Sequence, residues 1–201
     1  MKLTERDKKC YEFLIKTRLP FTISSLAEIF YNPNGNSRSA YTISSRRVST
    51  MCKLGYLSKE NATFGGETIV YAVKPNKTQL RHKLTQSKFM EQLSKNGFEI
   101  INAEPEYSFK NYGIRSDMLI TIRYNKKDYL LIVECNLNTP FNEKYDELVK
   151  DVVNQKLKLN LPIILINISD HKLEGSFEYA KPLTLKTDFS NFNKFIYLFV
   201  K

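Results

Sequence analysis

The sequence has little cysteine and no long apolar run, and each absence excludes a class of protein. Its three cysteines, Cys10, Cys52 and Cys135, form no CxxC pair and are not accompanied by clustered histidines, so neither a disulfide framework nor a zinc site is indicated. No apolar run approaches the roughly 18 residues that span a bilayer, and the charged start MKLTERDKK is not typical of a secretory signal. We therefore expect a cytoplasmic protein that does not enter a membrane.

The motifs of several enzyme classes are also missing. No GxxxxGK[ST] phosphate loop and no spaced GxGxxG occurs, so the sequence gives no support for nucleotide hydrolysis. A Ser–His–Asp or Cys–His catalyst would need partners for His82 or His171 that the sequence does not identify. These enzyme classes are set aside.

Acidic residues are outnumbered by basic ones. The chain of 201 residues has 31 Lys and Arg against 21 Asp and Glu, a formal net charge of +10. Such an excess raises the local concentration of a polyanion and speeds its capture, although excess lysine can also serve solubility alone. Nucleic acid is the leading class of partner.

Residues 1–75 follow the element order of a winged helix-turn-helix. Apolar residues at helical spacing predict helices over 4–17, 22–30 and 38–54, with Thr4 and Thr22 as N-caps. Strands that start near 56 and 67 form a hairpin around Gly65-Gly66. The phrase MCKLGYLSK resembles the end of the recognition helix and the first wing strand of bacterial winged-helix domains. We expect a DNA-binding domain here, although winged helices also serve as protein-interaction modules.

The third predicted helix has one face for the core and another for DNA. The inward positions are predicted to be Ala40, Ile43, Val48, Met51 and Leu54. The candidate DNA-binding residues are Arg38, Tyr41, Ser45, Arg46, Arg47, Ser49, Thr50 and Lys53. A helix fits the major groove, where Arg46 or Arg47 can pair bidentately with a guanine edge while hydroxyl groups bind phosphates.

Residues 76–201 have the pattern of an α/β domain. Helices are predicted over 78–95 and 142–159, and strands in the apolar segments near 98–102, 117–124, 129–137, 162–169 and 194–200. The strands YLLIVECNL and PIILINIS flank a helix, so we expect them to be parallel by the usual crossover rule. The predicted fold class is therefore α+β or α/β, with a mixed central sheet in the second domain.

The order of elements in this second domain resembles the PD-(D/E)XK nuclease core, in which acidic residues of a central hairpin hold magnesium. The resemblance implies that Asp117 and Glu134 approach one Mg²⁺ ion and that Glu91 is a candidate for a further acidic residue. Where that superfamily has Glu-x-Lys, this chain has Glu134-Cys135-Asn136. Asparagine can bind a metal, but it does not supply the ammonium group that stabilises negative charge.

The same carboxylates also have a structural interpretation. Asp117 can cap a turn, Glu91 can be an ordinary helix-surface residue, and Glu134 can pair with a nearby lysine. A carboxylate inside the apolar run LLIVECNL needs some compensation, because burying an unpaired charge costs several kcal/mol.

The chain as a whole resembles the replication-relaxation family of bacterial plasmid and mobile-element proteins, which couples a winged helix to such a core. The matching pieces are His82 in QLRHKL, Asp117 in RSDMLI, and Glu134, Asn136, Asn138 and Thr139 in VECNLNT. The family's Glu-x-Asp-x-Gly-Thr has Asn136 and Asn138 here in place of its Asp and Gly. The resemblance implies a non-catalytic, double-stranded DNA-binding accessory protein for replication, mobilisation or transfer control, with a relaxase or replication protein as partner.

Two other functions stay open. The first is a Mg²⁺-dependent DNA endonuclease that uses Asp117 and Glu134, in which Mg²⁺ would be the only cofactor. The second is a transcriptional regulator whose second domain senses a ligand or mediates dimerisation. The predicted helix 142–159 has an apolar face that includes Tyr145, which fits packing on the sheet and leaves a homodimer open.

Overall fold

The structure of the chain is a computed structural model that describes residues 2–33, 35–61, 67–138, 141, 143–155, 160–173 and 177–200. The chain is α+β and divides into a first unit, Met1–Gly97, and a second unit, Phe98–Lys201. The helix predicted over 78–95 belongs to the first unit, so the division lies after this helix, whereas the sequence placed a boundary before it at 75/76.

The first unit begins with three helical segments. They are α1 (Glu5–Thr17), α2 (Ile23–Leu26), which continues as a π-helical turn over Ala27–Tyr31, and α3 (Ser37–Lys53). Both predicted threonine caps are confirmed, because the Thr4 side chain accepts from the Asp7 N–H in a capping box and the Thr22 side chain accepts from the Ser25 N–H.

The first unit also contains a small antiparallel sheet. Its strands are β1 (Phe21–Thr22), β2 (Ser58–Asn61) and β3 (Thr68–Tyr71), with β3 in the middle. The predicted hairpin of β2 and β3 is present, while the two-residue strand β1 was not predicted. The expected Gly65-Gly66 turn lies outside the described residues.

The helix α4 (Leu80–Lys95) follows a 3₁₀ turn at Lys77–Gln79. Its buried apolar residues are Leu80, Phe89, Met90 and Leu93. The Ser87 hydroxyl donates to the Pro20 carbonyl, and Glu91 accepts from the Ser25 hydroxyl. These contacts tie α4 to the segment that carries β1 and α2.

The second unit is built on a five-stranded mixed sheet with the order β10-β9-β8-β7-β4. The strands are β4 (Glu99–Pro105), β7 (Met118–Tyr124), β8 (Lys127–Cys135), β9 (Ile163–Ile168) and β10 (Leu183–Leu185). β4, β7 and β8 are antiparallel, whereas β8, β9 and β10 are parallel. The predicted mixed sheet and the parallel pairing across the crossover are thus confirmed.

Short elements fill the connections of this sheet. A small hairpin of β5 (Ser108–Phe109) and β6 (Ile114–Arg115) precedes β7, with a 3₁₀ turn at Lys110–Tyr112 between its strands. The tight turn predicted between β7 and β8 is present: Asn125 and Lys126 have φ values of 49° and 63°, the left-handed conformation that two-residue hairpins require.

Two helices of the second unit differ from expectation. The helix α5 (Asp146–Val153) is shorter than the predicted range 142–159, of which residues 142 and 156–159 lie outside the described chain. The predicted C-terminal strand is wrong, because the segment forms the helix α6 (Asn193–Ile196). The rings of Phe195 in α6 and of Phe199 in the turns that follow it lie 5.1 Å and 4.9 Å from the Phe98 ring, and Phe195 is fully buried.

Candidate nucleic-acid interface and carboxylate site

The exposed side of α3 carries a strip of positive charge. The side chains of Arg38, Arg46 and Lys53 are exposed, and at about 100° per residue they lie within about 80° of one another around the helix axis. Ser45 and Ser49 are half-buried in the same sector. We call these five residues the basic face. α3 contains no acidic residue, and no ion pair to these three cationic side chains is found in the described part of the chain.

Arg47 lies on a different side of α3 and is bound within the protein. Its Nε atom lies 3.0 Å and 3.1 Å from the two carboxylate oxygens of Asp7, and one terminal nitrogen donates to the same carboxylate. That nitrogen also donates to the Lys2 carbonyl at 3.2 Å. Because Arg47 is held by Asp7, it is not part of the basic face, although the sequence placed it among the candidate DNA contacts.

The other predicted positions of α3 divide in a similar way. Tyr41 is exposed, as expected for a DNA contact, whereas Thr50 is buried and its hydroxyl donates to the Arg46 carbonyl at 3.1 Å. The predicted inward positions Ile43 and Leu54 are 36% and 47% exposed, so that part of the prediction is wrong.

Asp7 is the centre of a buried hydrogen-bond cluster. Besides Arg47, it accepts from the backbone N–H and the hydroxyl of Thr4 at 2.6 Å and 2.7 Å and from the Tyr31 hydroxyl at 2.9 Å. Burial opposes ionisation of the Asp7 carboxyl, but the hydrogen bonds from Arg47, Thr4 and Tyr31 outweigh it and hold the pKa well below its ordinary value.

In the second unit the sheet brings Asp117 and Glu134 together. The β7–β8 register pairs Met118 with Val133, so the residues just beyond this pair, Asp117 and Glu134, lie side by side on neighbouring strands. The Cys135 N–H donates to the Asp117 Oδ2 atom at 2.7 Å. The juxtaposition expected from the sequence is therefore present at the end of β8.

Glu134 is buried and pairs with a lysine, as its structural interpretation expected, and also with a tyrosine that the sequence did not indicate. The Tyr145 hydroxyl donates to Glu134 Oε1, and the Lys144 Nζ atom lies 3.0 Å from the same oxygen. Burial and the neighbouring charge of Asp117 raise the pKa of Glu134, while Tyr145 and Lys144 lower it and only partly offset this rise. No motif in the sequence marks Lys144 as that lysine or the Tyr145 hydroxyl as a partner, because both lie in the segment that follows β8 and reach Glu134 only through the fold.

Asn136 belongs to a separate line of polar groups across the parallel strands. Its side-chain amide donates to Asn167 Oδ1 at 2.9 Å, and the Asn167 amide donates to the Thr184 hydroxyl at 3.3 Å. The Ser169 hydroxyl donates to the Asn136 carbonyl at 2.8 Å. These bonds join β8, β9 and β10 at their carboxyl ends. Of the other positions that carry the sequence resemblance, Asn138 is exposed and Thr139 lies outside the described residues.

Glu91 lies in the first unit, whereas Asp117 and Glu134 lie in the second. The Ser25 hydroxyl donates to Glu91 Oε2 at 2.6 Å, and the Lys95 Nζ atom lies 2.7 Å from Oε1. Glu91 thus joins α2 to α4 within its own unit. His82, also on α4, is half-buried.

The donor set for a metal ion is small. Within the described ranges, no group of three or more His, Cys, Asp or Glu side chains is arranged to hold a metal. In the same ranges, every fully buried side-chain nitrogen or oxygen has a hydrogen-bond partner. Asp117 and Glu134 would supply two carboxylates, a donor type that suits Mg²⁺.

Comparison of the chain with protein-family models, with curated protein sequences and with solved structures finds no match in any of the three. A search of the described helices finds none whose length and apolar character would suffice to cross a bilayer.

Proposed function

We propose that the chain is a double-stranded DNA-binding accessory protein whose first unit is a winged helix-turn-helix. The observation that carries this proposal is the basic face of α3, where Arg38, Arg46 and Lys53 are exposed on a helix that has no acidic residue. The order of three helical segments followed by the β2–β3 hairpin supports it. The setting, by resemblance, is replication, mobilisation or transfer of a plasmid, phage or other mobile element, with a relaxase or replication protein as partner.

The spacing of the basic face suggests how α3 would dock. Arg38 and Lys53 are separated by about 22 Å along the axis, at 1.5 Å per residue, whereas the major groove is about 12 Å wide. Arg46, between them, would reach a base edge, while Arg38 and Lys53 would reach phosphates beside the groove. Specificity would therefore depend mainly on Arg46, and the salt dependence mainly on the other two residues.

The test is a salt titration of DNA binding by fluorescence anisotropy, with a duplex selected by the protein from a random pool and an unrelated duplex. Arg46→Ala should lose about 1–3 kcal/mol of discrimination between the two duplexes. The double variant Arg38→Ala/Lys53→Ala should bind both more weakly and reduce the log–log salt slope by about 2.

The matched control is Arg81→Ala/Lys88→Ala, which removes two exposed positive charges from α4 of the same unit. If charge alone determined binding, this control would weaken it as much as the α3 pair. That result would refute docking through α3, and a wild-type protein that binds no duplex would refute the proposed function.

One observation favours a second candidate, a Mg²⁺-dependent DNA endonuclease. Lys144 places an ammonium group 3.0 Å from Glu134 Oε1, which is the group that Glu134-Cys135-Asn136 lacks. In this function Asp117 and Glu134 would hold Mg²⁺, which supplies Lewis-acid chemistry and an activated water when bound. Lys144 would stabilise negative charge that develops on a phosphate. In the first function, Lys144 only neutralises a buried carboxylate.

Incubation with supercoiled DNA and Mg²⁺ or Mn²⁺ separates the two candidates. The non-catalytic function predicts no cutting at protein concentrations that shift the DNA. Metal-dependent cutting that disappears in both Asp117→Asn and Lys144→Met would instead establish the nuclease.

A further inference from the structure

The Asp7 carboxylate joins three helical segments of the first unit. Thr4 donates from the start of α1, Tyr31 donates from the end of the segment that continues α2, and Arg47 donates from α3. The Asp7 side chain has no exposed surface, and the Arg47 side chain is 12% exposed. The bonds therefore form in an environment that water screens little, where their geometry is strongly favoured.

The contact between Arg47 and Asp7 is directional. Both Nε and a terminal nitrogen of the guanidinium bind the carboxylate, and such a paired arrangement fixes orientation as well as distance. The apolar residues of α3 at the core, Ala40, Val48 and Met51, give attraction without this directional preference.

The contact between Arg47 and Asp7 affects the direction in which the basic face points. Arg47 follows Arg46 directly, so the two side chains leave α3 about 100° apart. With Arg47 bound to α1, the rotation of α3 about its own axis is set, and that rotation turns Arg46 outward.

We propose that Asp7 and Arg47 are positioning residues that set the rotation of α3 and thereby the alignment of its basic face with DNA. Arg47 acts on DNA binding through Asp7 and does not contact DNA itself. The inference rests on the proposed DNA-binding function and adds a pair of residues whose effect on that function is indirect.

For the variant Asp7→Asn, net charge and positioning predict changes of opposite sign in the affinity for DNA. It removes a negative charge from a protein that binds a polyanion, so charge alone predicts tighter binding. Positioning predicts weaker binding of the selected duplex, by about tenfold, which lies in the range of typical couplings between sites. The unrelated duplex, which needs no aligned contact, should change little.

A double-mutant cycle on the full chain tests whether Asp7 and Arg47 affect DNA binding through their contact with each other. Arg47→Met should weaken binding of the selected duplex about as much as Asp7→Asn. The double variant should be no worse than either single variant, because both break the same link. Arg47→Lys keeps the charge but not the paired geometry, and it should show a similar loss.

The matched control is Glu12→Gln, which makes the same charge change at an exposed position of α1 and should bind as tightly as the wild type or slightly more tightly. Circular dichroism and melting curves select a temperature at which every variant is folded, so that a loss of stability alone would not alter binding. If Asp7→Asn does not fold, Arg47→Lys serves in its place.

Selected-duplex binding by Asp7→Asn that equals or exceeds the wild type would overturn the inference, as would losses that add in the double variant. If Arg46→Ala loses discrimination while Asp7→Asn and Arg47→Lys do not, the proposed function stands and the positioning role fails. If the wild type binds no DNA, both fail together.

Discussion

Glu91 joins α2 to α4, and the structural role of this residue gives a prediction about the stability of the first unit. Glu91 is 7% exposed, and its carboxylate accepts from the buried Ser25 hydroxyl at 2.6 Å. Glu91→Ala removes the charged acceptor of that hydroxyl and leaves it only the Thr22 hydroxyl at 3.0 Å, and a lost hydrogen bond to a charged group costs about 1.5–3 kcal/mol. Loss of Lys95 as a partner adds little, because the Lys95 side chain is 40% exposed. We expect a loss of about 2 kcal/mol in the first unit.

Amide hydrogen exchange with mass spectrometry is the suitable assay, because the chain has two units and no tryptophan to report on one of them. A loss of 2 kcal/mol corresponds to about 30-fold faster exchange where global opening of the unit governs it. This acceleration is expected in peptides of α2 and α4, while the β7–β8 hairpin should be unaffected.

Two variants sharpen this experiment. Glu91→Gln keeps an acceptor for Ser25 and should cost less than Glu91→Ala, whereas Lys88→Ala, at an exposed position of the same helix, should stay within about 0.5 kcal/mol of the wild type. An acceleration below threefold in Glu91→Ala, or one of equal size in β7 and β8, would show that the Ser25–Glu91 bond does not hold α4 to the first unit.

The remaining predictions concern titration and reactivity. The depressed pKa of Asp7 gives stability that is present above its unfolded pKa of about 3.9 and is lost as the pH falls below it; melting curves of the wild type should therefore lose, below about pH 4, a contribution that Asp7→Asn lacks. Glu134 gives a pH dependence of stability with the opposite sign. Its raised pKa means that the stability of the second unit falls as the pH rises through a window above the ordinary glutamate pKa of about 4.3. In Glu134→Gln, amide hydrogen exchange of the second unit should no longer show this loss of stability. Finally, an aromatic disulfide reagent should label the half-buried Cys52 first, because Cys10 and Cys135 are buried, and burial raises the pKa of the Cys10 thiol to about 12.

Secondary-structure elements were predicted best from the sequence where apolar periodicity, capping residues and turn residues agree. Thr4 and Thr22 marked two helix starts correctly, and the Asn125–Lys126 turn was predicted at Asn125, a residue type that tolerates the left-handed conformation. The parallel arrangement of β8 and β9 followed from two apolar runs on either side of a helix.

The C-terminal segment shows why an apolar run can mislead. KFIYLFV contains no polar residue after its lysine to distinguish a period of two from one of 3.6. In the structure Phe195 and Phe199, four residues apart, pack with Phe98, while Tyr197, Leu198 and Val200 are exposed. The partner that selects the helix is distant in sequence, so the local pattern does not contain the deciding information.

The candidate sites were predictable only in part for a related reason. The adjacency of Asp117 and Glu134 follows from a hairpin register, which local sequence determines well. The pairing of Arg47 with Asp7, and of Lys144 with Glu134, depends on tertiary packing. Residue type alone could not distinguish Arg46, which faces outward, from Arg47, which is bound to α1.

The inclusion of α4 in the first unit also bears on how the chain can be divided and recombined. A fragment that ends at residue 75 contains α1, α2, α3 and the three strands of the small sheet, yet it would expose the apolar surface that Leu80, Phe89, Met90 and Leu93 cover. It would also leave the Ser25 hydroxyl without its carboxylate. The exchangeable module for a fusion protein is therefore residues 1–97, and a junction placed between β3 and α4 would pass through its core.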